Sequence, residues 1–316
     1  MYAIIYRHYG PPEVMELADI AKPTIRPDEV LVAVKAAGLN QMDLKLAAGQ
    51  FKLLTGSKFP KQTGADFSGE IVEVGEKVNQ FKIGDEVFAY IVSMKGLSGT
   101  VAEYFAVKAA AVARKPASIQ HEVAAALPCV YQTALQGLRN QGNLKAGGHV
   151  LIYGASGGVG SAAIQLAKHM KAHVTTVSSS KNKEYCLKQG ADSAFAYDEG
   201  NVWDRLPTDF DIIFQVYETK DSLFKTASKH LKVGGIFLVS PTVKHILANL
   251  FAILRGTYKV VTVNGNAEDL TLLGQLASQK LIQPDIKVFG LHDYKKAFQL
   301  MAGFKGKGKT VIRVNE

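Results

Sequence analysis

A strand, a glycine-rich turn and a helix follow one another directly over residues 149–170, which have the sequence HVLIYGASGGVGSAAIQLAKHM. Apolar residues after the turn recur at spacings of three and four, which predicts a helix over residues 159–170 with one buried face. Glycines in such a turn allow a tight bend, a close approach of backbone amides to a phosphate, and packing of the helix on the strand. Because the helix N-terminus also offers free N–H groups and a positive dipole end, the segment predicts a dinucleotide phosphate site.

The segments around this turn predict a parallel sheet with helices on both faces. Short apolar runs predict strands at residues 150–153, 174–177, 193–197, 212–216 and 236–239. Further helices are predicted at residues 183–189 and 222–231. Strands that alternate with amphipathic helices are typical of an α/β domain, so we expect one over residues 121–264.

The rest of the chain has a different pattern, which is rich in short strands. Strands are predicted at residues 3–6, 29–36, 69–74 and 86–90, with Gly and Pro between them. Near the end, strands at residues 285–290 and 309–314 flank a helix near residues 294–301. We therefore expect one β-rich domain made of residues 1–120 and 265–316, with the α/β domain inserted between its two parts.

Composition excludes several classes of protein. The 316 residues, 47% hydrophobic and 21% charged, are sufficient for two globular domains and argue against disorder. Two cysteines, Cys129 and Cys186, exclude a disulfide scaffold and a CxxC zinc site. The apolar run at residues 246–254 is less than half of the ~20 residues that span a membrane. Residues 1–9 lack the features of a signal peptide, so we expect a cytoplasmic protein.

The formal net charge of +9 raises the question of an acidic partner. The basic residues are spread along the chain, and dense runs occur only at residues 181–183 and 305–309. Aromatic residues do not alternate with the lysines as they would in a protein that binds single strands. Nucleic acid is therefore not an expected partner.

The residues after the second predicted strand indicate which dinucleotide would bind. An enzyme that uses NAD usually carries Asp or Glu there, about 20 residues past the turn, to bind the ribose hydroxyls. Residues 177–183 have the sequence VSSSKNK instead, and the first carboxylate is Glu184. Hydroxyl and ammonium groups suit a 2′-phosphate, which a carboxylate would repel, so the pattern favours NADP(H). A solvated loop with Lys181 and Lys183 facing water is the alternative.

Several loose motifs occur along the whole chain in a specific order. They are GPPEV at residues 10–14, AGLNQMD at 37–43, GADFSG at 64–69, GDEV at 84–87, AALPCVYQTAL at 125–135, the turn at 155–160 and GKTVI at 308–312. Together they resemble the medium-chain dehydrogenase/reductase superfamily, and within it the zinc-independent, zeta-crystallin-like quinone oxidoreductases. The resemblance implies a doubly wound Rossmann sheet inserted into a GroES-like substrate domain, with the active site in the cleft between them.

The resemblance also indicates where zinc-dependent members of the superfamily hold their metal, with a Cys, a His–Glu pair and a later Cys. This chain has Asn40 at the first position, Ala65 and Asp66 at the pair, and Cys129 near the third. One thiolate cannot hold a zinc ion that needs three protein ligands, so we expect no metal. Cys129 is then expected to be a buried, inert thiol.

The resemblance implies cofactor-binding residues but assigns no catalytic side chain. It places Asn40 near the nicotinamide, Thr133 against the cofactor's ribose or phosphate, and Ser240 along the nicotinamide ribose. The residues implied for the pyrophosphate are Ser156, Gly157, Gly158 and Val159. Those implied for the 2′-phosphate are Ser178, Ser179 and Lys183, with Tyr197 on the adenosine side. Two residues have an alternative role: Asn40, three residues before Asp43, would cap a helix, and Tyr197 would close a strand by packing.

Without a metal, the hydride acceptor must stabilise negative charge by itself, as a quinone or an α,β-unsaturated carbonyl does. We therefore expect NADPH-dependent hydride transfer to a quinone or a conjugated enone. A reductase of 2-alkenals or enoyl double bonds is an alternative. The tyrosine that enoyl thioester reductases carry in this region is absent from residues 44–54, where Phe51 occurs. A non-catalytic module that binds NADPH or RNA is a further alternative.

Two further expectations concern the end of the α/β domain. The apolar segment at residues 243–258 predicts a helix that belongs to the core, to a dimer contact or to a lid over the substrate. Relatives commonly form homodimers through the edge strands of the Rossmann sheet, so we expect a homodimer, with residues 258–263 as the edge strand.

Overall fold

The chain forms two compact units in a computed structural model that describes residues 1–91, 98–217, 219, 222–239, 249–303 and 307–315. The first unit comprises residues 1–129 and 265–316, and the second unit comprises residues 130–264. The first unit extends to Cys129 rather than to residue 120, because the helix His121–Ala126 packs against strands of that unit.

Short strands dominate the described part of residues 1–129, as the sequence predicts. The strands are β1 (Tyr2–Tyr6), β2 (Met15–Asp19), β3 (Glu29–Gly38), β4 (Lys61–Gln62), β5 (Asp66–Val74), β6 (Glu86–Tyr90), β7 (Tyr104–Lys108) and β8 (Ala113–Arg114). The helices are α1 (Gln41–Ala47), α2 (Lys52–Thr55) and α3 (His121–Ala126), with 3-10 turns at Pro12–Val14 and Ala109–Ala111.

Strands and helices then alternate. The strands are β9 (His149–Tyr153), β10 (His173–Ser178), β11 (Ser193–Ala196), β12 (Phe210–Gln215), β13 (Leu231–Val239) and β14 (Tyr258–Val260). The helices are α4 (Pro128–Leu135), which continues as a π-helix over Gln136–Gln141, α5 (Gly158–His169), α6 (Lys183–Lys188), α7 (Phe224–Ala227) and α8 (Leu250–Leu254). Short 3-10 helices occur at Ser180–Asn182, Val202–Arg205 and Ser228–His230.

The strands of the second unit form one parallel sheet in the order β11-β10-β9-β12-β13-β14. One apolar core contains buried residues from three of these strands: Leu151, Ile213 and Phe237. The strand order reverses between β9 and β12, which is where open sheets of this kind bind ligands, beyond the carboxyl ends of the strands. The prediction of a doubly wound Rossmann sheet is confirmed.

The apolar segment at residues 243–258 differs from the predicted single helix. Its first residues, 243–248, lie outside the described residues. Helix α8 ends at Leu254, and Tyr258 pairs with Phe237 as the first residue of β14. The helix prediction was therefore wrong at Tyr258, because the segment completes the edge of the sheet there. In the described part of the chain, no helix is both long enough and apolar enough to cross a bilayer.

The chain returns to the first unit after residue 264. It forms α9 (Ala267–Ser278), β15 (Ile286–Gly290), a 3-10 turn at Leu291–Asp293, α10 (Tyr294–Ala302) and β16 (Lys309–Arg313). Strand β16 pairs with β3 in a sheet of order β15-β16-β3-β5-β6-β8, in which β7 also pairs with β3, and a smaller sheet has the order β2-β1-β4. This pairing brings Lys309, at the start of β16, beside the ends of β3 and β5, because Val311 pairs with Gly38 and Gly38 with Asp66.

Candidate cofactor site and a buried lysine cluster

The turn between β9 and α5, residues 154–160, is called the phosphate turn here. Gly154 has a φ of 90°, and a Cβ atom on it would lie 2.5 Å from the Cβ of Tyr217. A Cβ atom on Gly160 would lie 2.5 Å from the carbonyl oxygen of Gly154. Both positions therefore require glycine, and these close contacts hold the start of α5 against the end of β9.

The N-terminus of α5 is bare within the described residues. No side chain caps the helix, and Gly157 at the N-cap position has an extended backbone. A Cβ atom on Gly157 would meet no atom closer than 3.8 Å. The N–H groups of Gly158, Val159 and Gly160 have no partner within the helix, so they can hydrogen-bond to an anion at the positive end of the helix dipole.

Residues 178–183, called the Ser–Lys loop here, follow β10. Ser178 donates its hydroxyl to the carbonyl oxygen of Ser179 (3.1 Å), whereas the Oγ of Ser179 has no partner among the described residues and the residue is 8% exposed. Asn182 is also 8% exposed and donates from Nδ2 to the Oγ of Ser156 (3.0 Å). Its Oδ1 likewise has no hydrogen-bond partner among the described residues. Buried polar atoms are normally hydrogen-bonded, so this loop has unused capacity beside the phosphate turn.

Two carboxylates that the sequence interpretation overlooked lie beside this loop. Lys183 Nζ is 3.2 Å from Glu199 Oε2, so the predicted phosphate-binding cation is already paired. Asp198 accepts hydrogen bonds from the backbone N–H and the hydroxyl of Ser180, and the backbone bond in particular lowers the pKa of Asp198. Asp198 and Glu199 come directly after β11 and Tyr197. Their position after a predicted strand could have indicated from the sequence that they lie near this loop. A phosphate at this loop would have to compete with Glu199 for Lys183.

The other predicted residues of the second unit are less constrained by the structure. Tyr197 is 50% exposed, and its backbone N–H donates to the carbonyl oxygen of Ser178, so it lies beside the Ser–Lys loop. Thr133 is half-buried in helix α4. Ser240 lies outside the described residues. The cofactor-binding roles of all three stay predictions.

In the first unit, Asn40 takes part in two sets of hydrogen bonds. As the N-cap residue of α1, it donates its backbone N–H to Asp43 Oδ2 (2.7 Å), so the capping alternative holds. Its side chain donates from Nδ2 to Asp66 Oδ2 (3.0 Å) and accepts at Oδ1 from Lys309 Nζ (2.5 Å). Asn40, Asp66, Cys129 and Lys309 are together called the buried lysine cluster.

Lys309 and Asp66 form the ion pair at the centre of this cluster. Their charged atoms are 2.7 Å apart, and the side chains are 4% and 0% exposed. Burial raises the pKa of Asp66, and the Lys309 ammonium opposes that rise. Asp66 Oδ1 also accepts the backbone N–H of Cys129 (2.9 Å). The Cys129 residue is partly exposed rather than buried as predicted. Desolvation of its thiol nevertheless raises the thiol's pKa to about 12, so the thiol stays protonated.

The residues at the positions of the zinc ligands do not fit a zinc ion. They offer a carboxamide, a carboxylate that is paired with an ammonium, and a protonated thiol. In the described part of the chain, no three or more His, Cys, Asp or Glu side chains are gathered as metal ligands. Zinc in proteins requires three or four such donors, with thiols deprotonated.

Comparisons with known proteins agree with this organisation. Residues 26–117 match the family model described as the alcohol dehydrogenase GroES-like domain, and residues 158–245 match the one described as zinc-binding dehydrogenase. The chain is 35% identical to 2-methylene-furan-3-one reductase of Solanum lycopersicum, over 99% of this chain and 79% of that protein. It is 34% identical to the chloroplastic NADPH-dependent alkenal/one oxidoreductase of Arabidopsis thaliana, over the same shares.

The fold comparison gives the same result. The structure of the quinone oxidoreductase from Coxiella burnetii matches with a TM-score of 0.93 and 31% identity, covering 100% of this chain and 99% of that one. The chain has a Rossmann unit inserted into a GroES-like unit, and a relative 35% identical to it is named as a reductase. These two findings define the chain as an oxidoreductase. The chain belongs to the medium-chain dehydrogenase/reductase superfamily, within its zeta-crystallin-like quinone oxidoreductases, and the predicted family is confirmed.

Proposed function

We propose that this protein is an NADPH-dependent oxidoreductase that transfers hydride to a quinone or a conjugated enone without a metal. The observation that carries the proposal is the pairing of a bare helix N-terminus with a polar loop of unused hydrogen-bonding capacity. The phosphate turn presents free N–H groups, and Ser179 and Asn182 beside it keep buried polar atoms unpaired. A pyrophosphate and a nearby 2′-phosphate would use both features.

NADPH supplies the hydride when it is bound, and the side chains of this protein hold and orient it. The pyrophosphate would be bound by the phosphate turn, through Ser156 and the backbone of Gly157, Gly158 and Val159. Ser179 and Asn182 would bind the 2′-phosphate, with Lys183 released from Glu199. Ser178 is a weaker candidate than predicted, because its hydroxyl already donates to a carbonyl oxygen. This proposal also includes the cofactor-binding roles that the family resemblance implies for four further residues: Asn40, Thr133, Tyr197 and Ser240.

Two acceptor classes fit the proposal because they demand the same chemistry. By their names, the Solanum and Arabidopsis relatives reduce methylene-furanones and alkenals or alkenones, while the Coxiella neighbour is a quinone oxidoreductase. Hydride addition to a conjugated enone places negative charge on its oxygen, and so does hydride addition to a quinone. Neither reaction needs a Lewis acid as strongly as an isolated ketone does.

Three further features complete the proposal. The first unit would bind the acceptor and the second unit the cofactor. The chain would form a homodimer through β14, the edge strand of the parallel sheet. A cytoplasmic location agrees with the two cysteines, Cys129 and Cys186, neither of which forms a disulfide.

The proposal is tested by measuring NADPH and NADH side by side. Trp203 is the single tryptophan of the chain and stacks on Tyr153 in the second unit, so its fluorescence can report cofactor binding. We expect NADPH to bind at least tenfold more tightly than NADH, and NADPH to be oxidised by an enone, a benzoquinone or both. Equal binding of the two cofactors, or no turnover with either acceptor together with salt-dependent RNA binding, would contradict the proposal.

A further inference from the structure

A short loop of the first unit exposes two adjacent leucines to solvent. This loop, residues 52–58 with the sequence KLLTGSK, begins with helix α2 and is called the basic leucine loop here. Leu53 is 94% exposed and Leu54 is 68% exposed. Single exposed leucines are common in folded proteins, whereas two neighbouring ones form a small apolar patch that water solvates poorly.

The loop is held firmly by residues behind it. The Tyr9 hydroxyl lies 2.6 Å from Thr55 Oγ1 and donates to the carbonyl oxygen of Gly56. The fully buried Lys61 donates from Nζ to the carbonyl oxygen of Thr55 (2.8 Å). Phe59 packs edge-on against Tyr9, with 5.0 Å between the ring centroids. The leucines are therefore exposed on a loop with a fixed backbone rather than on a loose end.

The charge around the leucines is positive. Residues 44–65 contain four lysines and no Asp or Glu. Lys52 and Lys58 lie on either side of the leucines, are exposed, and form no ion pair within the described part of the chain. The carboxylates that border this stretch in the sequence, Asp43 and Asp66, are buried. The two exposed lysines are thus available to an anionic partner.

Exposed leucines between unpaired lysines fit the surface of an anionic membrane. There, apolar side chains enter the boundary between headgroups and acyl chains, while lysines stay beside the anionic headgroups. A bilayer requires no matching shape, whereas a specific protein interface buries roughly 1,200–2,000 Å², which is more than a loop of this length supplies. The net charge of +9 favours the same partner.

We propose that the basic leucine loop docks on an anionic lipid surface, with Leu53 and Leu54 among the lipids and Lys52 and Lys58 at the headgroups. The docking is reversible, because stable anchoring requires stronger signals, such as two lipid chains. The inference goes beyond the proposed reductase activity and does not depend on it. Docking would bring the enzyme to membranes, into which apolar quinones and enones partition.

Co-sedimentation of the full chain with lipid vesicles tests the proposal. The probes are vesicles of phosphatidylcholine alone and vesicles that also contain phosphatidylglycerol, which is anionic. We expect the wild type to bind the anionic vesicles at least about tenfold more tightly than the neutral ones. High salt should release it, because exposed charges are then screened. Equal binding to both kinds of vesicle, or no binding to either, would overturn the inference, and the second result would point to a protein partner.

Paired substitutions separate the contributions of the lysines and the leucines. K52S/K58S should weaken binding to anionic vesicles by about 25-fold, which is about fivefold per lysine. L53S/L54S should weaken it by at least about tenfold, because the inserted apolar area is lost. The matched control K280N/L281S removes an exposed lysine and a half-exposed leucine elsewhere in the first unit. It keeps a residue that tolerates the left-handed backbone at position 280 (φ 59°) and should bind like the wild type.

The remaining outcomes also decide the inference. Binding that is the same in the control and in the two loop variants would show that the loop is not the docking surface. Turnover of a water-soluble enone should be unchanged in L53S/L54S. Loss of that turnover would place the leucines at the acceptor site and overturn the inference. Wild-type turnover without vesicles decides the proposed function separately.

Discussion

The buried lysine cluster and the Ser–Lys loop are both polar, but they differ in how their polar atoms are satisfied. In the cluster, the charges of Lys309 and Asp66 are paired with each other inside the chain. In the Ser–Lys loop, Ser179 Oγ and Asn182 Oδ1 are buried without partners among the described residues. The difference indicates that the cluster positions the protein's own side chains, whereas the loop is arranged for a ligand that brings its own hydrogen-bonding groups.

The largest effect should come from breaking the cluster on one side only. We expect K309M to lower the free energy of unfolding by about 3–5 kcal/mol, because it leaves the buried Asp66 carboxylate without a positive charge to balance it. Urea unfolding at neutral pH measures the change. D66N/K309M is the control and should lose much less, since neither charge remains. Equal losses in the two variants would mean that side-chain packing, rather than charge pairing, stabilises this cluster.

A second effect concerns Asp43, beside the cluster. Burial raises the pKa of Asp43 to about 7, so the folded state favours the protonated carboxyl. A raised pKa adds stability that is fully present below the unfolded-state pKa, near 3.8, and is lost as pH rises through about 7. This contribution reaches about 4 kcal/mol at most.

Unfolding free energies at pH 5 and pH 8 test this expectation. The wild type should lose stability over that interval by a larger amount than D43N, which cannot titrate. Parallel pH profiles for the two proteins would show that Asp43 does not contribute in this way.

The phosphate turn offers a matched pair of glycine substitutions. G160A should lower the free energy of unfolding by about 1–3 kcal/mol and weaken NADPH binding, because its Cβ would lie 2.5 Å from the Gly154 oxygen. G157A should leave stability nearly unchanged, since no atom lies within 3.8 Å of its Cβ. It should still weaken NADPH binding, because the methyl group would meet the phosphate. Unchanged NADPH affinity in G157A would argue against phosphate binding at this turn.

The smallest effect should distinguish the two serines of the Ser–Lys loop. S179A should raise the Kd for NADPH by about tenfold and leave the Kd for NADH unchanged, because a hydrogen bond to a charged phosphate is lost. S178A should change the Kd for NADPH by less than about twofold, because the Ser178 hydroxyl already donates to a backbone oxygen. Isothermal titration of both variants with both cofactors measures the difference. Equal effects of the two substitutions would remove the distinction between them.

The sequence predicted local features of the fold well, because they depend on neighbouring residues. Helix α5 was predicted at residues 159–170 and spans Gly158–His169, and β6 has the predicted bounds. Helix α9 was overlooked although its signal was present. Asn266 accepts hydrogen bonds from the N–H groups of Glu268 and Asp269, which is a typical N-cap arrangement.

The candidate sites were less predictable, because they depend on pairing between distant segments. Lys309 appeared in the sequence only as part of a terminal motif, and no periodicity connects it to Asp66 at a distance of 243 residues. The pairing of Lys183 with Glu199 likewise depends on two neighbouring strands of the sheet. Sequence patterns indicate which side chains can bind a phosphate, but not which of them are already paired.

The most direct test of metal-free hydride transfer is the metal dependence of the wild-type enzyme. The measurement combines elemental analysis of the purified protein with the rate of NADPH-dependent enone reduction before and after exhaustive chelation. If hydride transfer needs no metal, the protein should contain substoichiometric metal, its rate should not change after chelation, and added zinc should give no gain. A rate that disappears on chelation and returns with one equivalent of zinc per chain would contradict it.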